Sequence, residues 1–175
     1  RSGVEIYDEA GERVDRPKIK SVASALLVDK GNHRHFMAKE IHEQPEVVSH
    51  TLANYLDMGA GTIAFPDLGI DLATIPRVTI SACGTAYYAG LVGKYWIERY
   101  ARVPVEIDIA SEFRYREAPL IDGGLAVFVS QSGETADTLA TLRYCKAGKQ
   151  RIVSIVNVRT STIARESHAV LPTLA

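Results

Sequence analysis

From Arg77 onward the chain alternates between short runs rich in Val, Ile and Ala and longer stretches whose apolar residues recur at helical spacing. The runs predict strands over Arg77 to Ala82, Val105 to Ala110, Leu125 to Val129, Ile152 to Val156 and Ala169 to Leu171. Between them the spacing predicts helices over Thr85 to Tyr100 and Thr135 to Ala147, and a short helix near Thr162 to Arg165; Ser111 to Glu117 is a short polar-aromatic segment. Strands apolar on both faces belong to a parallel sheet covered by helices on both sides. The predicted fold class is therefore α/β, a doubly wound, mostly parallel five-stranded sheet. In the flavodoxin-like order 2-1-3-4-5, the first and third strands adjoin at the switch point, where ligands sit beyond the strands' carboxyl ends.

The front of the chain reads differently. Val4 to Asp8 and Arg13 to Arg16 suggest two short strands around the turn Glu9-Ala10-Gly11-Glu12, a hairpin too small to stand alone. Pro17 to Asn32 has little periodicity and reads as a linker. Phe36, Ile41, Val47, Val48, Thr51, Leu52 and Tyr55 then recur at helical spacing through Met58, with Gly59 as a stop. Pro45 within this run predicts two helices or one kinked helix.

Two loops at the expected switch point carry the candidate chemistry. Ser130-Gln131-Ser132-Gly133-Glu134-Thr135 follows a strand and opens a helix, so the helix's unpaired N–H groups and the positive end of its dipole face whatever binds there. Three hydroxyls and an amide add neutral donors. The loop has no Lys or Arg and so does not follow the nucleotide pattern G-x-x-x-x-G-K-[ST]; a phosphomonoester fits better. Cys83-Gly84-Thr85 is the second loop, where Gly84 permits a tight turn and Thr85 either caps the next helix or turns its hydroxyl outward. Capping by Ser132 or Thr135, with Glu134 or Asp137 complementing the dipole, is the plain alternative for the first loop. Capping accounts for one hydroxyl and leaves two.

The chain's 20 basic and 21 acidic residues among 175, with no long run of either sign, argue against nucleic acid as the main partner. No stretch reaches the ~20 apolar residues of a membrane helix, and the reading is a cytoplasmic protein. Cys83 and Cys145 form no disulfide framework or metal knuckle; Cys83, at the end of an apolar strand, reads as a packing residue rather than a nucleophile. His33 and His35 read as surface histidines, and no metal site is expected. Glu112, Arg114 and Arg116 form a solvated face or subunit contact, while Tyr95, Trp96 and Tyr100 are assigned to helix packing.

Four segments carry a family resemblance: Ile80 to Thr85, Ile109 to Tyr115, Ser130 to Thr138, and Arg165-Glu166-Ser167. With Glu5 to Asp8 and His35 to Pro45 they resemble the glucosamine-6-phosphate synthase family, the isomerizing glutamine–fructose-6-phosphate aminotransferases, across nearly the whole chain. The resemblance implies the first sugar isomerase (SIS) domain, over residues 35–175, preceded in 1–34 by the tail of a glutaminase domain and a linker. It implies a reaction in which ammonia from glutamine aminates fructose 6-phosphate, followed by isomerisation to glucosamine 6-phosphate. Phosphate and sugar would be held at Gly84, Thr85, Ser130, Gln131, Ser132 and Thr135, with no cofactor. Ala86 departs from the family pattern, which often has Ser there. The first residue is not the family's nucleophilic Cys, and Ala175 precedes the segment Glu-Ile-Gly-Val-Ala-Ser-Thr of relatives. The glutaminase domain and the second SIS domain, with its isomerising Glu and His and its Schiff-base Lys, are expected outside this chain, which alone would be inactive. The whole protein is expected to be a homodimer. A non-enzymatic sugar-phosphate sensor and a flavin-binding module are the alternatives.

Overall fold

The computed structural model describes residues 3–17 and 29–174. The expected linker falls mainly on residues 18–28, outside the described residues. The chain forms two compact units, Arg1–His42 and Glu43–Ala175.

In the first unit the expected hairpin reduces to a turn. Asp8 Oδ1 accepts the N–H groups of Ala10 and Glu12, both at 2.9 Å, and the flanks meet in the single bridge Tyr7–Arg13. Its side chains are almost all exposed, so nothing extends the pairing into strands. The helix predicted from Phe36 forms as α1 (Phe36–Ala53), unbroken by Pro45, and stops short of Met58. The chain instead folds into a small antiparallel ribbon, β1 (Leu56–Asp57) and β2 (Thr62–Ile63). Asp57 organises its turn by accepting the N–H groups of Gly59 and Ala60, both at 2.9 Å.

The remainder of the second unit is the predicted α/β layer structure. Five parallel strands, β3 (Val78–Ala82), β4 (Val105–Ile109), β5 (Leu125–Ser130), β6 (Arg151–Val156) and β7 (Ala169–Pro172), lie in the order β4-β3-β5-β6-β7. This is the flavodoxin-like order expected from the sequence. Three helices pack on one face: α3 (Ala110–Phe113), α4 (Ala136–Ala147) and α5 (Thr162–Glu166). Phe113, Phe128, Leu142, Cys145, Ile152, Val156 and Ile163 form the core there. The opposite face buries Val78, Ile80, Val105, Leu125 and Val153, and α2 (Gly84–Trp96) packs on it over β3, β4 and β5. Gly90 permits that approach, since a Cβ there would lie 2.7 Å from Ile107 Cδ1. Past Trp96 the predicted helix continues as a widened π-helical turn, Ile97–Ala101, which carries the chain to a left-handed Arg102 (φ 58°).

The segment predicted as polar and solvated begins as α3, with Phe113 buried against Tyr144, their ring centroids 5.9 Å apart. Its two arginines are paired rather than loose. Arg114 meets Asp137 at 3.1 Å, and Arg116 bridges Glu106 and Asp108 at 2.6 and 2.5 Å. On α2, by contrast, Tyr95, Trp96 and the nearby Tyr100 are exposed, which corrects their assignment to core packing.

Candidate functional site

The parallel register brings the two hydroxyl loops together. Ala82 pairs with Val129, so Cys83 and Ser130 leave the sheet from neighbouring strands, about 4.8 Å apart in a sheet of ordinary spacing. The Thr138 hydroxyl on α4 also lies 3.9 Å from Cys83 Sγ across the crevice.

At the first loop, Cys83 rather than Thr85 occupies the cap position of α2, in extended conformation, and its side chain makes no capping bond. Gly84 turns with φ +57°, a left-handed value that favours glycine. Thr85 sits in the first turn, exposed, with no hydroxyl partner among the described residues. Its reading as a helix cap is not what the structure has. The first N–H groups of α2 therefore remain open to a ligand.

The second loop is more tightly built. Ser130 is buried at the end of β5; its Oγ accepts the Gly133 N–H at 3.0 Å and shares a hydrogen bond with Thr135 Oγ1 at 3.2 Å. Ser132 Oγ accepts the Glu134 N–H at 3.2 Å, and both Ser132 and Gln131 are exposed. Thr135 is the N-cap residue of α4 by its backbone, yet its hydroxyl caps nothing. Two helix N-termini without side-chain caps thus flank the same crevice, with the hydroxyls of Thr85, Ser132 and Thr135 on its loops. Asp137 is committed to Arg114, so no carboxylate of α4's first turn is unpaired.

A segment that the sequence reading did not single out supports this loop from behind. The Asn157 N–H donates to Gln131 O at 3.2 Å and the Ile163 N–H to Gly133 O at 3.0 Å. Glu134 was expected to complement the dipole of α4 but instead turns to α5, where its Oε1 accepts the Thr162 N–H at 2.7 Å. That N–H, then the Thr162 hydroxyl, and the nearby Arg165 hold the Glu134 carboxyl below its ordinary value. Ser161 caps α5 and lies directly against Gly133 (φ +66°). The only sequence signal for this support is the polar run Asn157 to Thr162 after a strand.

Cys83 is half-buried and Cys145 buried, and both are free thiols; burial pushes the Cys145 thiol up to about 12. Among the described residues, no group of three or more His, Cys, Asp or Glu is placed to hold a metal ion. Nor, among them, is any helix long and apolar enough to cross a membrane.

Residues 71–175 match the SIS domain family. The chain is 65% identical over its whole length to the glutamine–fructose-6-phosphate aminotransferase [isomerizing] of Brucella abortus, and 64% identical to the protein of that name from Bradyrhizobium diazoefficiens. It spans 29% of the length of each. Among solved structures, the C-terminal domain of glucosamine-fructose-6-phosphate aminotransferase from Francisella tularensis superposes with a TM-score of 0.73 at 46% identity. That superposition covers 83% of this chain and 41% of the other. A structure from Silicibacter pomeroyi described as a “putative phosphosugar isomerase” aligns at a TM-score of 0.61 and 26% identity, over 78% of this chain and 41% of that one.

Proposed function

The chain belongs to the SIS domain family, and from that premise we propose that it is the sugar-phosphate-binding piece of an isomerizing glutamine–fructose-6-phosphate aminotransferase. On this reading residues 35–175 are the first SIS domain and residues 1–34 the tail of a glutaminase domain. The substrate is fructose 6-phosphate and the product glucosamine 6-phosphate. The identity of 65% to a relative of that name supports this assignment over a regulatory sugar-phosphate sensor.

The observation that carries the site assignment is the meeting of two hydroxyl-bearing loops at two uncapped helix N-termini on adjacent strands. Backbone N–H groups at Gly84 and along the first turn of α4, with the hydroxyls of Thr85, Ser130, Ser132 and Thr135, suit the oxygens of a phosphomonoester. Gln131, exposed on the same loop, is assigned to a sugar hydroxyl on this reading. These groups bind and orient. None of them is a base suited to moving a proton between adjacent carbons, so isomerisation falls to the second SIS domain and amination to ammonia released in the glutaminase domain. A homodimer in the cytoplasm completes the reading. The exposed aromatic face of α2, with Tyr88, Tyr95 and Trp96, supports pairing, and the two free thiols suit a reducing compartment.

Calorimetric titration of the chain with fructose 6-phosphate, and with fructose as control, tests the proposal. Binding of the phosphate ester alone is expected, weakened about a hundredfold or more when Ser132 and Thr135 are both changed to Ala, because each hydrogen bond to a charged oxygen contributes ~1.5–3 kcal/mol. Equal affinity for fructose, or an unchanged affinity in the double variant, would reject these loops as the phosphate site.

A further inference from the structure

At the other end of the sheet, remote from the hydroxyl loops, a cavity of about 500 Å³ opens between the carboxyl end of α4, the starts of β6 and β7 and the loop Leu68–Ile70. Its charged lining is all basic: Lys146, Lys149 and Arg151, with His168 among them. The side chains of Lys149 and Arg151 have no hydrogen-bond or ion-pair partner among the described residues. Lys146 donates to the backbone oxygen of Glu166 at 2.6 Å, and its charge acts on the Glu166 carboxyl only after the larger effect of Arg143. The Glu166 carboxylate is taken by the Arg143 guanidinium through bonds of 2.9 and 2.5 Å. On the facing loop Asp67 turns its Oδ1 to the Gly69 N–H at 2.8 Å.

Basic residues at a helix carboxyl end ordinarily complement its dipole. That end of α4 offers only about half a negative charge, against three cations converging on one concavity. The excess calls for an anion, and the cavity lies within the ~300–1,000 Å³ of small-molecule sites. We propose that Lys146, Lys149 and Arg151, with His168, form a second anion site for a phosphate-bearing small molecule of at least two negative charges, separate from the crevice at the carboxyl ends of the strands.

His168 gives the site a built-in reporter. Its Nδ1 accepts the Ile152 N–H at 2.8 Å, so the neutral ring carries its proton on Nε2. Burial, and then Lys146 and Arg151, hold this imidazole below its ordinary value. An anion between those cations offsets their repulsion and raises it.

The test is an NMR pH titration of the histidine side chains in the intact chain, with several millimolar pyrophosphate and with sodium chloride at equal ionic strength. The expected result is an upward displacement of His168 by roughly half a pH unit or more in pyrophosphate beyond that in chloride. His33, His35, His42 and His50 should not follow. Lys149→Asn, which suits the left-handed backbone at φ 56°, combined with Arg151→Gln should abolish the response. Thr135→Ala, altered only in the hydroxyl crevice, should retain it. An equal displacement in chloride, a response shared by all histidines, or one that survives in the double variant would overturn the proposal.

Discussion

Replacing Gly133 by Ala attacks the hydroxyl loop where two constraints coincide. The residue has φ +66°, and alanine in that region costs roughly 1–2 kcal/mol more than glycine. Its new Cβ would lie 2.5 Å from Ser161 Cβ and still nearer Ser161 Oγ. Ser161 is 2% exposed and caps α5 through the Ala164 N–H, so it has little room to yield, and overpacking of this kind costs ~1–3 kcal/mol. The sum is roughly 2–5 kcal/mol. For a chain of this size it corresponds to a fall in Tm of roughly 4–20 °C, read by urea and thermal unfolding followed by circular dichroism. The two contributions separate in a double variant. Adding Ser161→Gly removes the clash for only a few tenths of a kcal/mol of lost capping, and so should recover the packing part and leave the backbone part. A Gly133→Ala chain within about 0.5 kcal/mol of the parent, or no recovery on adding Ser161→Gly, would refute both the geometry and the role of α5 as the loop's support.

Three further outcomes are expected. Thr135→Ala should cost less than about 1 kcal/mol, because its hydroxyl caps nothing, whereas Ser130→Ala strands the buried Gly133 N–H and should cost ~1–3 kcal/mol; comparison of urea midpoints decides. His168 accepts the Ile152 N–H only while neutral and is harder to protonate folded than unfolded. Its contribution is therefore present above the ordinary histidine value of 6.5 and lost as pH falls from there through the folded value, and His168→Gln should flatten the stability profile over that window. Cys145, with its thiol near 12 and buried, should resist a disulfide reagent at about pH 8 until the protein unfolds, while the half-buried Cys83 reacts in the native state.

Much of the sheet was legible because its strands have a property that residue order alone displays. Runs of Val, Ile and Ala such as Ile152 to Val156 can satisfy both faces only inside a parallel sheet, and the intervening helical spacing allowed few topologies. The failures have a common cause in contacts between distant segments. Glu134 was legible as a first-turn acid, but its partner is the N–H of Thr162, 28 residues away, which no local pattern marks. The opening hairpin has the right turn, set by Asp8 within four residues, and lacks a third strand or a core face to extend it. Tyr95 and Trp96 lie on an apolar stretch of α2, yet spacing cannot say which side of a helix meets the sheet; Gly90 does that by admitting Ile107 and Ile80 against its bare backbone.

The contrast between the two ends of the sheet bears on how each would treat an anion. In the hydroxyl crevice, two helix N-termini supply about half a positive charge apiece, and the rest is neutral donors in fixed places. Against a dianion that is weak electrostatic compensation, so affinity there depends on the geometry of the donors. This makes the support behind Gly133 as consequential as the hydroxyls themselves, since a displaced loop loses several aligned bonds together. The basic cavity has the opposite character: three exposed cations and few fixed donors, an arrangement that selects an anion by its charge rather than by its shape and is screened by salt. A site that must take one sugar phosphate, align it and release the product is better served by the first arrangement. That is the physical reason for assigning the substrate to the cation-free loops, despite the stronger positive field at the opposite end.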